Sequence, residues 1–408
     1  MPDKSILVSW YTDPTVIPPF VLSPRQVTVG PKLRPDQPQM MFAGRTPIGV
    51  YDLKVALESQ GLARRYDLIV IYADPSGMNF PLNLDAFGCP KVLVVGDTHH
   101  LKWPLRQMVE YASDARVDFI VSIYNRQHLR WFREAGFTRL AWLPGLTVRH
   151  VPQPLRSDRK PQVGFVGQAS SRHVRRTRLL GVLRSSDVPL AAVTGTRKLT
   201  AEVYAGSIAS FNASLNGDLN LRVFEVLSAG GCLLTDRLAP ESGLGLLLDE
   251  DTHYFGYDTP EELVEKARYL LQNPEQALAV ARAGNAAFVE SMLPARRAAD
   301  LLAWVFEDRL DDLYLVPAPA GPSDPAVELM DRLRIYEALQ QVHLERERPR
   351  ILFDPAVPEI YRADAGDLRR LNLSVGSDGA AAGSWDAIVL RGPQEIECTV
   401  SNGNDTMR

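Results

Sequence analysis

Three runs, Tyr66–Tyr72, Lys91–Val95 and Asp118–Tyr124, are apolar almost without interruption, and Leu140–Leu143 reads as a fourth. Helical patterns over Leu105–Ala115 and Asn125–Ala135 separate them. A strand with one wet face alternates polar and apolar side chains. A strand that does not alternate is buried on both faces, as in a parallel sheet covered by helices. Right-handed crossovers join such strands into one Rossmann-like sheet. Ser5–Tyr11 supplies an earlier strand and Gly49–Gln60 a helix. Between these two, Asp13–Pro47 carries eight prolines, too many for a long helix, and reads as an extended surface loop.

Val148–Pro161 is proline-rich and basic, and reads as a linker. The pattern then restarts. Strands are expected at Gln162–Val166, Leu190–Thr194 and Tyr254–Tyr257, and helices at Arg172–Leu183 and Ala201–Ser207. Pro260–Gln272 and Pro274–Met292 are helices that open on proline followed by glutamates, which suit a helix N-terminus. Pro294–Leu313 is a further helix, Val316–Pro325 a break, and Pro325–Glu347 an amphipathic helix. Three short strands follow, Ile351–Phe353, Leu371–Val375 and Ala387–Leu390. The chain thus divides into an α/β unit over 1–150, a second over 151–315, and an appendage over 316–408.

Within the second unit, FNASLNGDLNLRVFEVLSAGGCLLTD (Phe211–Asp236) concentrates the chemistry. Phe211–Leu215 reads as a strand, Asn216, Gly217 and Asp218 as a turn, and Leu219, Val223, Val226 and Leu227 recur at helical spacing. Asp218 or Asn220 can cap that helix, the Gly230–Gly231 pair can stop it, and Cys232–Thr235 is a buried-type strand. Arg222 and Glu225 share a helix face. They make either a solvated ion pair or a ligand site at the carboxyl edge of a parallel sheet, where carboxylates take ribose hydroxyls and Arg or backbone N–H groups take phosphate.

The run DLNLRVFEVLSAGGCLLTD, followed by DTHYFGYDTPEELVEKARYLLQNPEQALAVARAGNAAFVE, resembles the nucleotide-binding half of GT-B glycosyltransferases. It is most similar to the group that includes the spore-maturation protein CgeB. The resemblance implies two Rossmann-like domains facing across a cleft, with the acceptor in the first and a nucleotide-diphosphate sugar in the second. It implies donor contacts from Gly167, Arg172, Asn216, Asn220, Leu221, Arg222 and Glu225, with Glu225 on the ribose and Arg172 at the diphosphate. Many retaining members carry two glutamates separated by seven residues. Glu225 matches the second, whereas Gly217 stands at the first, a departure the CgeB-like group commonly shares.

Gly164 and Gly167 at a strand–helix turn, before Arg172, Arg175, Arg176 and Arg178, suit a phosphate, since glycine admits close backbone approach. Four arginines on one helix also read as a solvated face. The spacing is not G-x-G-x-x-G and no acidic residue ends the second strand, which argues against a nicotinamide cofactor. VVGDTHH (Val94–His100) ends a first-unit strand; Asp97, His99 and His100 could contact a sugar, shape a loop or bind a metal. Similarity to family-4-type enzymes places Asp97 and His99 at the transferred sugar. Asp249-Glu250-Asp251 spells D-x-D but reads as a solvated acidic turn, and no G-x-S-x-G elbow occurs.

Bulk properties agree. A net charge of −4 predicts no general affinity for nucleic acid or anionic membrane. No stretch approaches the roughly 20 apolar residues of a membrane span. Three cysteines, far apart, fit buried thiols in a reducing cytosol. The expectation is a cytoplasmic, metal-independent, retaining glycosyltransferase without a cofactor. Its rivals are an epimerase or hydrolase on the same fold, or a nucleotide-sugar-binding scaffold.

Overall fold

The structure, a computed structural model, describes residues 3–13, 17, 19–33, 42–148, 153–170, 173–316, 329–346, 348–368, 371–376, 385–392, 395–401 and 406–407. Arg172 and most of the proline-rich break after Val316 lie outside them.

Through the first unit run β1 (Ser5–Trp10), β2 (Arg25–Gly30), β3 (Phe42–Arg45), β4 (Gly49–Asp52), α1 (Leu53–Glu58), β5 (Leu68–Ala73), β6 (Asn79–Leu82), β7 (Lys91–Val95), α2 (Pro104–Asp114), β8 (Phe119–Ser122), α3 (Leu129–Glu134) and β9 (Leu140–Trp142). Seven of these strands form one parallel sheet, ordered β3-β2-β1-β5-β7-β8-β9, while β4 and β6 pair beside it. All residues of β1, β5 and β8 are buried, as non-alternating sequences require. The proline-rich stretch is more than a loop. It contributes β2 and β3, because Val27 and Val29 enter the core and the prolines fall outside both strands. Gly49–Asp52 is a strand rather than the start of the expected helix; Asp52 caps α1 by accepting the Val55 N–H.

The second unit comprises β10 (Lys160–Val166), α4 (Val174–Ser185), β11 (Leu190–Val193), α5 (Arg197–Gly206), β12 (Ser207–Phe211), α6 (Leu221–Ser228), β13 (Leu233–Asp236), α7 (Leu244–Leu247), β14 (Phe255–Tyr257), α8 (Pro260–Gln272) and α9 (Pro274–Ser291). Its five strands are all parallel, ordered β11-β10-β12-β13-β14. The strand expected at Phe211–Leu215 ends at Phe211. Beyond Asn212 the backbone turns onto side chains, as Asp236 accepts the Ser214 N–H and Asp218 those of Leu215 and Asn216.

Helix α10 (Pro294–Glu307) leads back to the first sheet, where Val316 N–H reaches Leu140 O and Trp304 packs edge-on to Phe119. After it come α11 (Leu329–Glu345), β15 (Arg350–Phe353), α12 (Glu359–Ala365), β16 (Asn372–Val375), β17 (Ala387–Arg391), β18 (Ile396–Ser401) and β19 (Thr406–Met407). These strands make a third sheet, β16-β15-β17-β18-β19, parallel at β15 and antiparallel from β17 on. Helix α11 is not one-sided. Arg332, Glu337, Gln340 and His343 are buried along with its apolar residues, because it packs against α2 and α3 of the first unit and α4 of the second. Buried Arg332 and Asp364, with half-buried Arg130 and Glu134, form an ion-pair network that fastens α11 and α12 to α3. No described helix is long and apolar enough to cross a membrane.

Candidate active site

Loops that leave the carboxyl ends of β7, β8 and β12 meet between the first two sheets. Asn216 donates its amide to His99 O at 3.0 Å, and Gln127 donates to Gly217 O at 3.2 Å. His99 Nε2 lies 3.6 Å from Asp218 Oδ2, both side chains being buried. The Asn125 amide donates to His99 Nδ1 at 3.3 Å, which leaves the imidazole proton on Nε2, facing Asp218. Burial holds His99 below the usual histidine range, partly offset by Asp218 and Asp97. Burial also pushes the Asp97 carboxyl up to about 6; neighbouring His99 opposes this, while Asp74 and Asp218 add to it. Donor atoms of Asp97, His99 and His100 lie within 4.8 Å of one another, close enough to share one ion. In this arrangement, however, both His99 nitrogens already face protein groups.

The second unit's half of the site is built on β10, α4 and α6. Asn220 caps α6 by accepting the Arg222 N–H, and Leu221 opens the helix half-buried. Arg222 turns from Glu225 toward the sheet: its Nε donates to Val166 O at 3.1 Å and its Nη1 to Asn212 Oδ1 at 3.0 Å, with the guanidinium 4.6 Å from the Phe165 ring. Gly167 makes this possible. Its φ is +149°, and a Cβ there would sit 2.4 Å from Arg222 Nη2. The expected reason for the glycine is corrected, since its N–H bonds to Val193 O and does not face a phosphate. Gly164 instead packs its backbone against Ser207. Glu225, one turn into α6, is half-buried; burial raises the phenols of Tyr204 of this unit and Tyr124 of the first, and the Glu225 charge adds to both.

The arginine-rich helix is no solvated face. Arg175 is buried and pairs with Asp236 at 2.8 Å, also donating to Ser214 O. Arg176 is 6% exposed. Its one hydrogen bond runs from Nη1 to Gln168 O at 3.1 Å, and its Nε, also buried, has no partner. No carboxylate among the described residues pairs with it. Burial, then the like charge of Arg222, pushes it down to about 9. Both guanidinium groups thus lie against the Phe165 ring of β10, at 6.0 Å for Arg176 and 4.6 Å for Arg222. The desolvated one, Arg176, is within electrostatic reach of His99, His100 and Asp218.

Asn216 is wholly buried, and its amide group is taken up by His99 O, Gln340 O and His343, so it ties the two units and α11 together. The sequence reading missed Arg176 as a separate candidate, Asn125, and the contribution of α11 to the site, although it expected a helix over Pro325–Glu347. Asn125 stands at the carboxyl end of a buried strand, a position that is itself a signal. Of the D-x-D run, Glu250 pairs with Arg237 at 2.6 Å, whereas Asp249 and Asp251 are exposed or near it.

The glycosyl transferase-like family profile matches residues 84–303, more than half of the chain and the whole of this site apart from α11 and residues near the N-terminus. The chain belongs to that family. It is therefore a glycosyltransferase, and its two facing Rossmann-like sheets are the GT-B architecture. HepE of Anabaena, solved in complex with UDP and glucose, is similar with a TM-score of 0.51 at 12% identity, over 73% of this chain and 98% of its own. Sucrose-phosphate synthase from Thermosynechococcus elongatus gives 0.51 at 10% identity, over 75% of this chain and 100% of its own. At such identities the likeness is one of fold. No curated protein sequence matches this glycosyltransferase.

Proposed function

We propose that this enzyme transfers a glycosyl group from a nucleotide-diphosphate sugar to an acceptor, with retention and without a metal ion. The observation that carries the reading is the Arg176–Arg222 pair, because a buried cation beside a second cation is stabilised by an anion between them. A donor diphosphate is such an anion, and its charge grows as the glycosidic bond breaks, so fixed cations favour the transition state over the ground state. Arg172 belongs to the same proposed contact set.

Glu225 accepts the ribose hydroxyls, and Asn220 and Leu221 present the start of α6 beneath the diphosphate. The domain roles follow: 151–315 binds the donor and 1–150 the acceptor. On the acceptor side, His99 Nε2–H hydrogen-bonds a sugar hydroxyl in place of its long contact to Asp218. Asp97, its carboxyl raised to about 6, accepts a hydrogen bond from a hydroxyl of the transferred sugar. The departing diphosphate oxygen takes the proton of the acceptor hydroxyl that attacks from the same face, as retention requires. HepE has been solved with UDP-glucose, which makes the uridine donor the first to test. Incubation with UDP-, GDP- and dTDP-sugars and a panel of sugar acceptors, each with and without EDTA, is expected to release a nucleoside diphosphate from one donor, dependent on acceptor and equal with and without EDTA. Release that EDTA abolishes contradicts metal independence, and release from none contradicts the donor assignment.

A further inference from the structure

We propose that Leu101, Lys102 and Trp103 form a platform that recognises a sugar-containing acceptor bearing a negative charge, a phosphate or a carboxylate. The proposal deepens the reading above and rests on it for the position of the reacting hydroxyl. Of the six tryptophans, four are buried and Trp385 is half-buried, whereas Trp103 is 52% exposed. Indole is the side chain with most to gain from leaving water, and a half-wet one needs a reason.

The backbone supplies a second, independent sign. Leu101 has φ +78° and Trp103 φ +56°, so two side-chain-bearing residues at the end of the β7–α2 connection adopt the left-handed conformation. Such a conformation persists where the surroundings over-determine it, and it clusters at ligand sites. Here α11 does the holding. Gln341 donates to Leu101 O at 3.0 Å, and the Glu337 carboxylate accepts the N–H groups of Leu105 and Arg106 at 2.8 and 3.0 Å. Helix α11 therefore fixes a strained loop whose end is an exposed aromatic ring.

Charge gives the ligand class. Lys102 Nζ lies 4.0 Å from the indole centroid and the Arg106 guanidinium carbon 5.1 Å from it. Arg106 is neutralised by Glu337 at 2.6 Å. Lys102 is exposed and makes no ion pair among the described residues, so its charge is available to a ligand. An aromatic face packs against the C–H surface of a sugar ring, and the ammonium beside it favours an anionic substituent. The position fits. Trp103 follows His99 by four residues, at most about 14 Å along the chain, which is the reach of an acceptor two or three sugar rings long.

The test is an array of neutral, phosphorylated and uronate-bearing oligosaccharides, probed with the full-length protein with and without UDP, alongside calorimetry with UDP. Wild type is expected to bind the charged sugars. Trp103→Ala should weaken that binding about tenfold, Trp103→Phe should retain most of it, and Lys102→Ala should equalise charged and neutral sugars. Affinity for UDP should be the same in all four proteins. Undiminished array binding by Trp103→Ala, or no array binding by a wild type that binds UDP, overturns the proposal. Failure of UDP to bind any of them overturns the donor reading instead, and array binding without UDP that Trp103→Ala loses still supports the platform.

Discussion

Replacing Arg176 by methionine should make the free protein more stable and the nucleotide complex weaker. Burial and Arg222 push the guanidinium down to about 9, a displacement that corresponds to about 5 kcal/mol of unfavourable interaction for the charged form. Methionine has a similar length and fills the same space between α4 and β10 without that charge. Against the relief stands the lost bond to Gln168 O, a charge-assisted contact worth about 1.5–3 kcal/mol. The balance is a gain of about 2–3.5 kcal/mol, or several degrees in the melting midpoint. In the complex the same side chain faces a diphosphate, and losing one buried charged contact costs about 2–4 kcal/mol, a roughly 30- to 1,000-fold weaker Kd. Thermal melts without ligand and calorimetric titration with UDP measure both halves. A variant that melts lower than wild type while binding UDP as tightly would refute the reasoning, since Arg176 would then be a structural cation.

Three further outcomes follow from the same geometry. Gly167→Ala places a Cβ 2.4 Å from Arg222 Nη2, displacing the guanidinium, and puts a side chain at φ +149°, which strains the backbone as well. Donor affinity should fall about tenfold while the melting midpoint moves only a few degrees, as a titration and a melt on the same sample will show. Asp97, raised to about 6 and needed in its ionised form, should give kcat/KM an acidic limb near pH 6, with rate lost as pH falls; a pH profile in which Asp97→Asn keeps that limb contradicts the assignment. His343 is buried neutral and held down to about 3 by burial and Arg175, so the unfolded chain takes up a proton below pH 6.5 that the folded chain does not. Its contribution is intact above pH 6.5 and lost on acidification, about 2 kcal/mol between pH 7 and 5; denaturant titrations of His343→Gln should show a correspondingly shallower dependence.

Much of the architecture could be read from hydrophobic pattern, because strands buried on both faces cannot disguise themselves: β5, β7, β8 and β10 all stand within two residues of the apolar runs. The helices that open on proline, α8 and α9, begin at the residues their caps predict. Strands β2 and β3 were not legible, since their pairing is decided by neighbouring strands and the prolines around them point to loop. Within the site, Asn220 as the cap of α6 was visible locally, but the partners of Arg222 and Arg176 come from β10 and its following loop, more than 50 residues away for Arg222. Helix α11 illustrates the same limit. Its polar residues look like a solvated face until Thr98, Asn216 and Leu105 arrive from two other units to bond Gln340, His343 and Glu337.

A crystal structure of the protein soaked with UDP-glucose tests the central claim most directly. The account predicts density for the diphosphate between the guanidinium groups of Arg176 and Arg222, the ribose hydroxyls on Glu225, and the sugar turned toward Asp97 and His99. A donor bound with its phosphates away from both arginines, or outside the space between the first two sheets, would contradict it.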